Sequence, residues 1–372
     1  GSLRLYNEVS PGETVGEAGI ILEQRRFADV TALRDSTIAV LHRGRFEELL
    51  MRHPVALNRV FAQAVYHQLR HTPQRPEHRR AHAFVVVPLH SDISALTVAD
   101  GLTLALAGYG RAFRVDAKSN EKYQLDELEA EFDFLIYQAD LKDSEWTRRA
   151  FRQADQVIYV AAVGDSPDLC EIEPRLGAEP GFSMKRQHFA LLHSANAKSP
   201  GDLASWREGR QIERVYPLRD GRPEDFSRFA RFLTGQAVGL VLGGGGARGF
   251  AHLGVLRALA ESHIPVDVIG GNSMGALIGA QYACGLGLDE IREQTMRFAL
   301  GGERPTLPVI SLLSGRRLER DLRKMFGDQR IEQLWSPFFA AACNLSQACT
   351  TVQESGLLWR AVLASNSPAG LL

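Results

Sequence analysis

The sequence predicts an α/β protein of more than one domain, on three observations. Short apolar runs alternate with helical stretches from Ala83 to about Gly235, the alternation starts afresh at Gln236, and the second series holds two glycine-rich turns between strand-like and helix-like segments. Strand then helix, repeated, is the pattern of a parallel sheet wrapped on both faces. A chain of 372 residues, 45% hydrophobic and 23% charged, has apolar material for two or three cores. Its formal net charge of −1 provides no global field to attract nucleic acid.

From Leu3 to about Val40 the runs "LRLYNEV", "ADVTAL" and "STIAVL", broken by "PGE" and "GEAG", read as strands and turns. In "FEELLMRHPVALNRVFAQAVYHQLR", Phe46, Leu49, Leu50, Leu57, Val60, Phe61, Ala64, Val65 and Leu69 recur near helical spacing, with Pro54 at a helix start or kink. "HTPQRPEHRRAH", Pro-rich, basic and aperiodic, reads as a linker. Next, "FVVVPL", "AFRVD", "FDFLIYQ", "QVIYVAAV" and "HFALLHS" read as strands, and "SALTVADGLTLALAGYG", "DSEWTRRAFRQA" and "DFSRFARFLTG" as helices. No glycine loop follows the first strand, where the text is "VPLHSDIS", so a scaffold role is expected here in place of nucleotide binding. From Gln236, "AVGLVLG" and "PVDVIGG" read as strands, "FAHLGVLRALAESH" and "MGALIGAQYACGL" as helices.

Cys170, Cys284, Cys343 and Cys349 lack any paired spacing, which points to reduced thiols and a cytosolic setting. The apolar runs fall far short of the roughly 18 residues that span a bilayer, so membrane contact is expected to be peripheral. Gly1-Ser2 could be a cloning scar, and both ends read as cut through a domain, so the chain is expected to be an internal fragment.

Two turns carry the chemistry. In "IGGNSMGALIG", Gly271, Ser273 and Gly275 form G-x-S-x-G between a strand and a helix, the context of a nucleophile elbow. A serine on such a strained turn brings backbone close, so the positions two before and two after it need hydrogen in place of a side chain. In "GLVLGGGGARGFAHLGVL", Gly244, Gly246 and Gly249 also satisfy G-x-G-x-x-G, so a dinucleotide site is the alternative. Its acidic residue would be Asp267, which stands at the start of its strand while the other end carries the serine, and the hydrolase reading is preferred. In that reading the amides of Gly244, Gly245 and Gly246, with that of Met274, face an oxyanion. Arg248 at a helix start opposes the macrodipole and calls for an anion such as a substrate phosphate, or is a solvated surface arginine. His252 and His263 are the nearby candidate bases, although His252 reads better as a loop brace, and a carboxylate acting directly is the other option.

These segments, together with "WTRRAFRQADQVIYV" and "DFSRFARFLTGQAVGLVLGGG", resemble the patatin-like phospholipase family, and within it the bacterial relatives of neuropathy target esterase, over nearly the whole chain. The resemblance implies a three-layer α/β/α catalytic domain, C-terminally incomplete, a Ser-Asp dyad without histidine, no cofactor or metal, and hydrolysis of acyl esters of phospholipid or lysophospholipid. Ser273 would be the nucleophile and "GGGGARG" the oxyanion loop, supported by Arg248, Gly249, Gly271 and Gly275. The family's acid lies in an Asp-Gly-Gly or Asp-Gly-Ala motif after the serine; here Asp100-Gly101 and Asp220-Gly221 both precede it, so the acid is expected beyond Leu372 and the fragment inactive. Asp267, Asp289, Asp321 and Asp328 have no motif support as substitutes.

"VGEAGIILEQRRFADVTAL" resembles the phosphate cassette of a cyclic nucleotide-binding domain, with Gly16, Glu17 and Arg26 at ligand-contacting positions. Asp29, where a small hydroxyl or apolar residue is usual, would repel a phosphate, so a structural or regulatory remnant without cyclic nucleotide is expected. The expected layout is a partial β-roll over 1–53, a helix and linker over 54–81, a Rossmann-like α/β scaffold over 82–235 and the patatin-like catalytic domain over 236–372, cytoplasmic and peripheral at the inner face of the membrane. The alternative is a non-catalytic regulatory or membrane-docking module on the same fold.

Overall fold

The computed structural model describes residues 9, 14–16, 29–33, 35–53, 82–179, 181–212, 214–301 and 315–367. After α1 (Arg43–Arg52) come β1 (His82–Pro88), α2 (Asp92–Leu106), β2 (Ala112–Val115), α3 (Ala117–Lys122), α4 (Leu125–Glu131) and β3 (Phe134–Gln138). Then follow α5 (Glu145–Gln153), β4 (Gln156–Ala162), α6 (Ile172–Gly177), β5 (Arg186–His193), β6 (Val215–Arg219) and α7 (Pro223–Leu233). The last series is β7 (Gly239–Leu242), α8 (Ala251–Glu261), β8 (Val268–Gly271), α9 (Met274–Ala283), α10 (Leu288–Ala299), α11 (Arg316–Phe326), β9 (Phe338–Asn344), β10 (Cys349–Gln353) and α12 (Leu358–Ser365). These residues group into two compact units, Gly1–Ala161 with Leu169–Phe189, and Ala162–Asp168 with Ala190–Leu372.

In the first unit β1 is buried along nearly its whole length, which is why its text is an unbroken apolar run. Ala95, Val98, Ala99, Leu102 and Leu106 of α2 are buried against this sheet, and Ser91 caps the helix by accepting from the Ile93 amide. Strand pairs β2/β3, β3/β1 and β1/β4 are parallel. The strand order within this unit, β2-β3-β1-β4, corrects the Rossmann-like expectation. A Rossmann sheet runs 3-2-1-4-5-6; here the connection from β1 passes to the outer position and β3 returns inside it. At the end of β1 the side chains of Ser91 and Asp92 take the Ile93 and Leu141 amides, so that turn is closed by side chains.

Residues 36–41, expected as a strand, are described and carry no ladder, with Ile38 and Val40 exposed. Alternation supplies only the faces of a strand; a neighbour must supply its hydrogen bonds. α1 ends two residues before Pro54, and the rest of the expected helix and linker, 54–81, lies outside the described residues. No helix among the described residues is long and apolar enough to cross a membrane.

His188 on β5 is buried, with Nε2 2.8 Å from Gln156 Oε1 on β4. Burial, reinforced by the Arg186 charge, pushes its pKa down from 6.5 to about 4. The unfolded chain therefore binds the extra proton first, and stability falls as pH drops from about 6.5 through about 4, by roughly 3 kcal/mol. Denaturant titrations between pH 7 and pH 4 should show this loss in the wild type and a flatter profile in His188→Leu. Parallel profiles would clear His188 of the effect.

In the second unit the sheet order is β10-β9-β8-β7, with β7, β8 and β9 parallel and β10 folded back antiparallel on β9. α9 is buried at nine of its ten positions and packs with Ile269, Phe338, Ala340, Leu358 and Val362 in one core. Gly279 stands where this helix meets the sheet, facing Ile269 and Phe338. Asp267, at the head of β8, is buried and accepts from Arg231 at 2.8 and 2.7 Å and from the Val238 amide at 2.9 Å. Its carboxylate ties α7 to the start of the sheet, which removes it as a ribose ligand or dyad acid.

Candidate active site

Parallel register sets Leu242, the last residue of β7, beside Gly271, the last of β8. Both glycine-rich turns therefore leave the same sheet edge side by side. A methyl at Gly271 or at Gly275 would overlap the Leu242 carbonyl oxygen, so both positions need hydrogen for the reason the spacing implied. A methyl at Gly249 would likewise overlap the Met274 side chain, which fixes the start of α8 against the start of α9.

Ser273, between β8 and α9, has φ +51° and ψ −123°. That conformation costs a non-glycine residue about 1–3 kcal/mol and is held only where the surroundings over-determine it. The first glycine turn lies against it: a methyl on Gly244 would stand 3.3 Å from Ser273 Cβ.

Gly244 corrects one expectation. Its amide donates to Asn272 Oδ1 at 2.8 Å and is closed to a ligand. Asn272 also donates its own amide to Leu242 O at 3.2 Å, so its side chain staples the two turns together. The amides of Gly245, Gly246 and Met274 bond to none of the described residues. Gly246, at φ +53°, opens the short 3-10 turn Gly246–Phe250 that leads into α8. Arg248 on that turn is exposed and makes no ion pair among the described residues.

His252 Nε2 donates to Gly243 O at 2.8 Å, which braces the first turn and leaves the imidazole occupied away from Ser273. His263, at φ +54°, closes the C-terminus of α8 and is no partner of the serine. No carboxylate of the described residues bonds to Ser273: Asp289 is exposed and meets Arg257, Asp321 meets Arg317, and Asp328 is exposed. The side chains that do reach Ser273 come from the end of α12. Ser365 Oγ accepts from the Ser273 amide at 2.9 Å, and Asn366 Oδ1 lies 3.5 Å from Ser273 Oγ. Neither Asn272, Ser365 nor Asn366 was singled out from the sequence; Asn272 fills an unconstrained x of the pentapeptide, and the other two are 92 and 93 residues from Ser273.

Of the cassette residues, Gly16 is described, with φ +92°, while Glu17 and Arg26 lie outside the described residues. Among the described residues no group of His, Cys, Asp and Glu is arranged to hold a metal. No disulfide joins any of the four cysteines, and burial pushes the Cys284 thiol up to about 11, which makes it inert.

Residues 240–370 match the family model of patatin-like phospholipase, 110–217 that of the P-loop like domain of the neuropathy target esterase family, and 1–53 that of the cyclic nucleotide-binding domain. Similar curated proteins include the neuropathy target esterase sws of Drosophila persimilis and of Drosophila melanogaster, each 27% identical over 434 residues. That of Drosophila grimshawi is 28% identical over 434 residues. Each alignment covers 100% of this chain and 30% of the relative, so the chain spans about 30% of the length of the proteins it matches.

Proposed function

We propose that Ser273 is the nucleophile of an esterase that releases fatty acid from phospholipid or lysophospholipid, since residues 240–370 match the family model of patatin-like phospholipase. The observation that carries this reading is the Leu242–Gly271 register, which sets a turn with open amides against a strained, half-exposed serine. Ser273 Oγ attacks the acyl carbonyl as its proton passes to a base. The resulting oxyanion is met by the amides of Gly245, Gly246 and Met274, each such donor worth about 3 kcal/mol in hydrolases. Collapse expels the alcohol and leaves an acyl-enzyme, which water hydrolyses to free acid and serine.

The base in this proposal is an aspartate outside the present 372 residues, forming a Ser-Asp dyad. Asn366, the polar side chain beside the hydroxyl, is a neutral amide and takes no proton at physiological pH. Arg248, exposed and unpaired among the described residues, suits the phosphate of the lipid head group. The domain proposal keeps 236–372 as a three-layer catalytic domain, 82–235 as an α/β scaffold and 1–53 as a cyclic-nucleotide-type remnant. The site works at the inner face of the membrane.

Phospholipid and lysophospholipid vesicles offered to the complete protein should yield free fatty acid, whereas the 372-residue chain alone should yield none. Turnover by the isolated chain would refute the external acid. Vesicle binding by the complete protein without any fatty-acid release would favour a non-catalytic docking module.

A further inference from the structure

The two elbow glycines make room for the strained turn at Ser273 but do not hold it. The holding bonds come from the end of α12. Ser365 Oγ donates its single proton to Ala341 O of β9 at 2.6 Å and accepts the Ser273 amide at 2.9 Å. With that proton committed to β9, the lone pair that faces Ser273 is fixed, and the elbow is fixed with it.

Asn366 works on the other side of the same residue. Its Nδ2 donates to Ser273 O at 3.1 Å and to Val362 O at 2.9 Å, spending both protons on carbonyls. Turning the amide over would press Oδ1 against those two oxygens, so its orientation is determined. Oδ1 then lies 3.5 Å from Ser273 Oγ, long for a hydrogen bond. At that separation it steers the hydroxyl without locking its proton.

We infer that Ser365 and Asn366 are positioning residues, a clasp that grips the amide, carbonyl and hydroxyl of Ser273 and holds it in its reactive geometry. With the Ser273 amide taken by Ser365, Met274 supplies the donor the elbow still offers. The inference rests on the proposed role of Ser273. A loosened elbow would cost rate in the bond-forming step more than it costs ligand affinity, because a misplacement of about 1 Å can lower a rate a hundredfold.

The test is phosphonylation of the complete protein by a fluorophosphonate, followed over a range of probe concentrations, with deuterium uptake at the Ser273 amide as a second readout. In Ser365→Ala and Asn366→Ala the maximal labelling rate should fall about tenfold to a hundredfold, at an unchanged half-saturating concentration. The Ser273 amide should exchange faster in Ser365→Ala, and Ser365→Thr, which keeps the hydroxyl, should label like the wild type. Should Ser365→Ala fail to fold, Asn366→Ala and Ser365→Thr decide by the same rates. Alanine variants with wild-type circular dichroism, maximal rate and exchange would overturn the clasp alone. A wild type that takes no probe would overturn the role of Ser273 itself, and the positioning role with it.

Discussion

Ser273→Ala in the complete protein is expected to lower fatty-acid release by three orders of magnitude or more, roughly the loss seen when a covalent nucleophile is removed. The same position should separate activity from stability. At φ +51° a side chain is a burden, and glycine enters that region without one. Ser273→Gly is therefore expected to be as inactive as Ser273→Ala yet more stable than the wild type, by about 1 kcal/mol. Fatty-acid release and denaturant unfolding, measured on both variants, check the pair. A Ser273→Gly protein less stable than wild type would mean that the turn is not strained, and turnover within about tenfold of the wild type in either variant would place the chemistry elsewhere.

The second large effect is steric. Gly271→Ala or Gly275→Ala would drive a methyl into the Leu242 carbonyl oxygen, and backbone on both sides leaves nothing flexible to yield. Either variant should lose about 3 kcal/mol of stability in the unit that holds β7 to β10, and lose ester hydrolysis with it. Gly254 in α8 is the control, since a methyl there meets nothing within 4 Å. Gly254→Ala should gain about 0.5–1 kcal/mol from helix propensity and keep full activity. Equal tolerance at Gly254 and Gly275, read by unfolding midpoint, would show that the close approach at the elbow is not real.

The elements around the site were legible because their signals are local. β1, β3, β4, β7 and β8 are short apolar runs between punctuating residues, and α2, α5, α7, α8 and α9 follow them in the text. β9 was missed: "FFAAACN" is alanine-rich and carries no alternation, and it is a strand because β8 and β10 flank it. The strand order of the first sheet was misjudged for a related reason. A strand-helix pattern dictates parallel pairing but does not say whether the second strand lies next to the first or one place further out.

At the site, the glycines and Ser273 were readable because each stands where a turn or a close approach admits few residue types. The Gly244 amide was misassigned because a glycine run tells that backbone is in use, not what uses it. Here Asn272, only 28 positions away in sequence, takes it. Ser365 and Asn366 carry no local signature at all. Their position becomes meaningful only when α12 packs beside β9 and α9 and brings its C-terminus to the elbow.

The most direct measurement is the mass of the complete protein after a fluorophosphonate, followed by peptide mapping of the adduct. A single phosphonyl group on the peptide that carries Ser273 is the expected result. No adduct, or an adduct on any other serine while Ser273 stays free, would contradict the account.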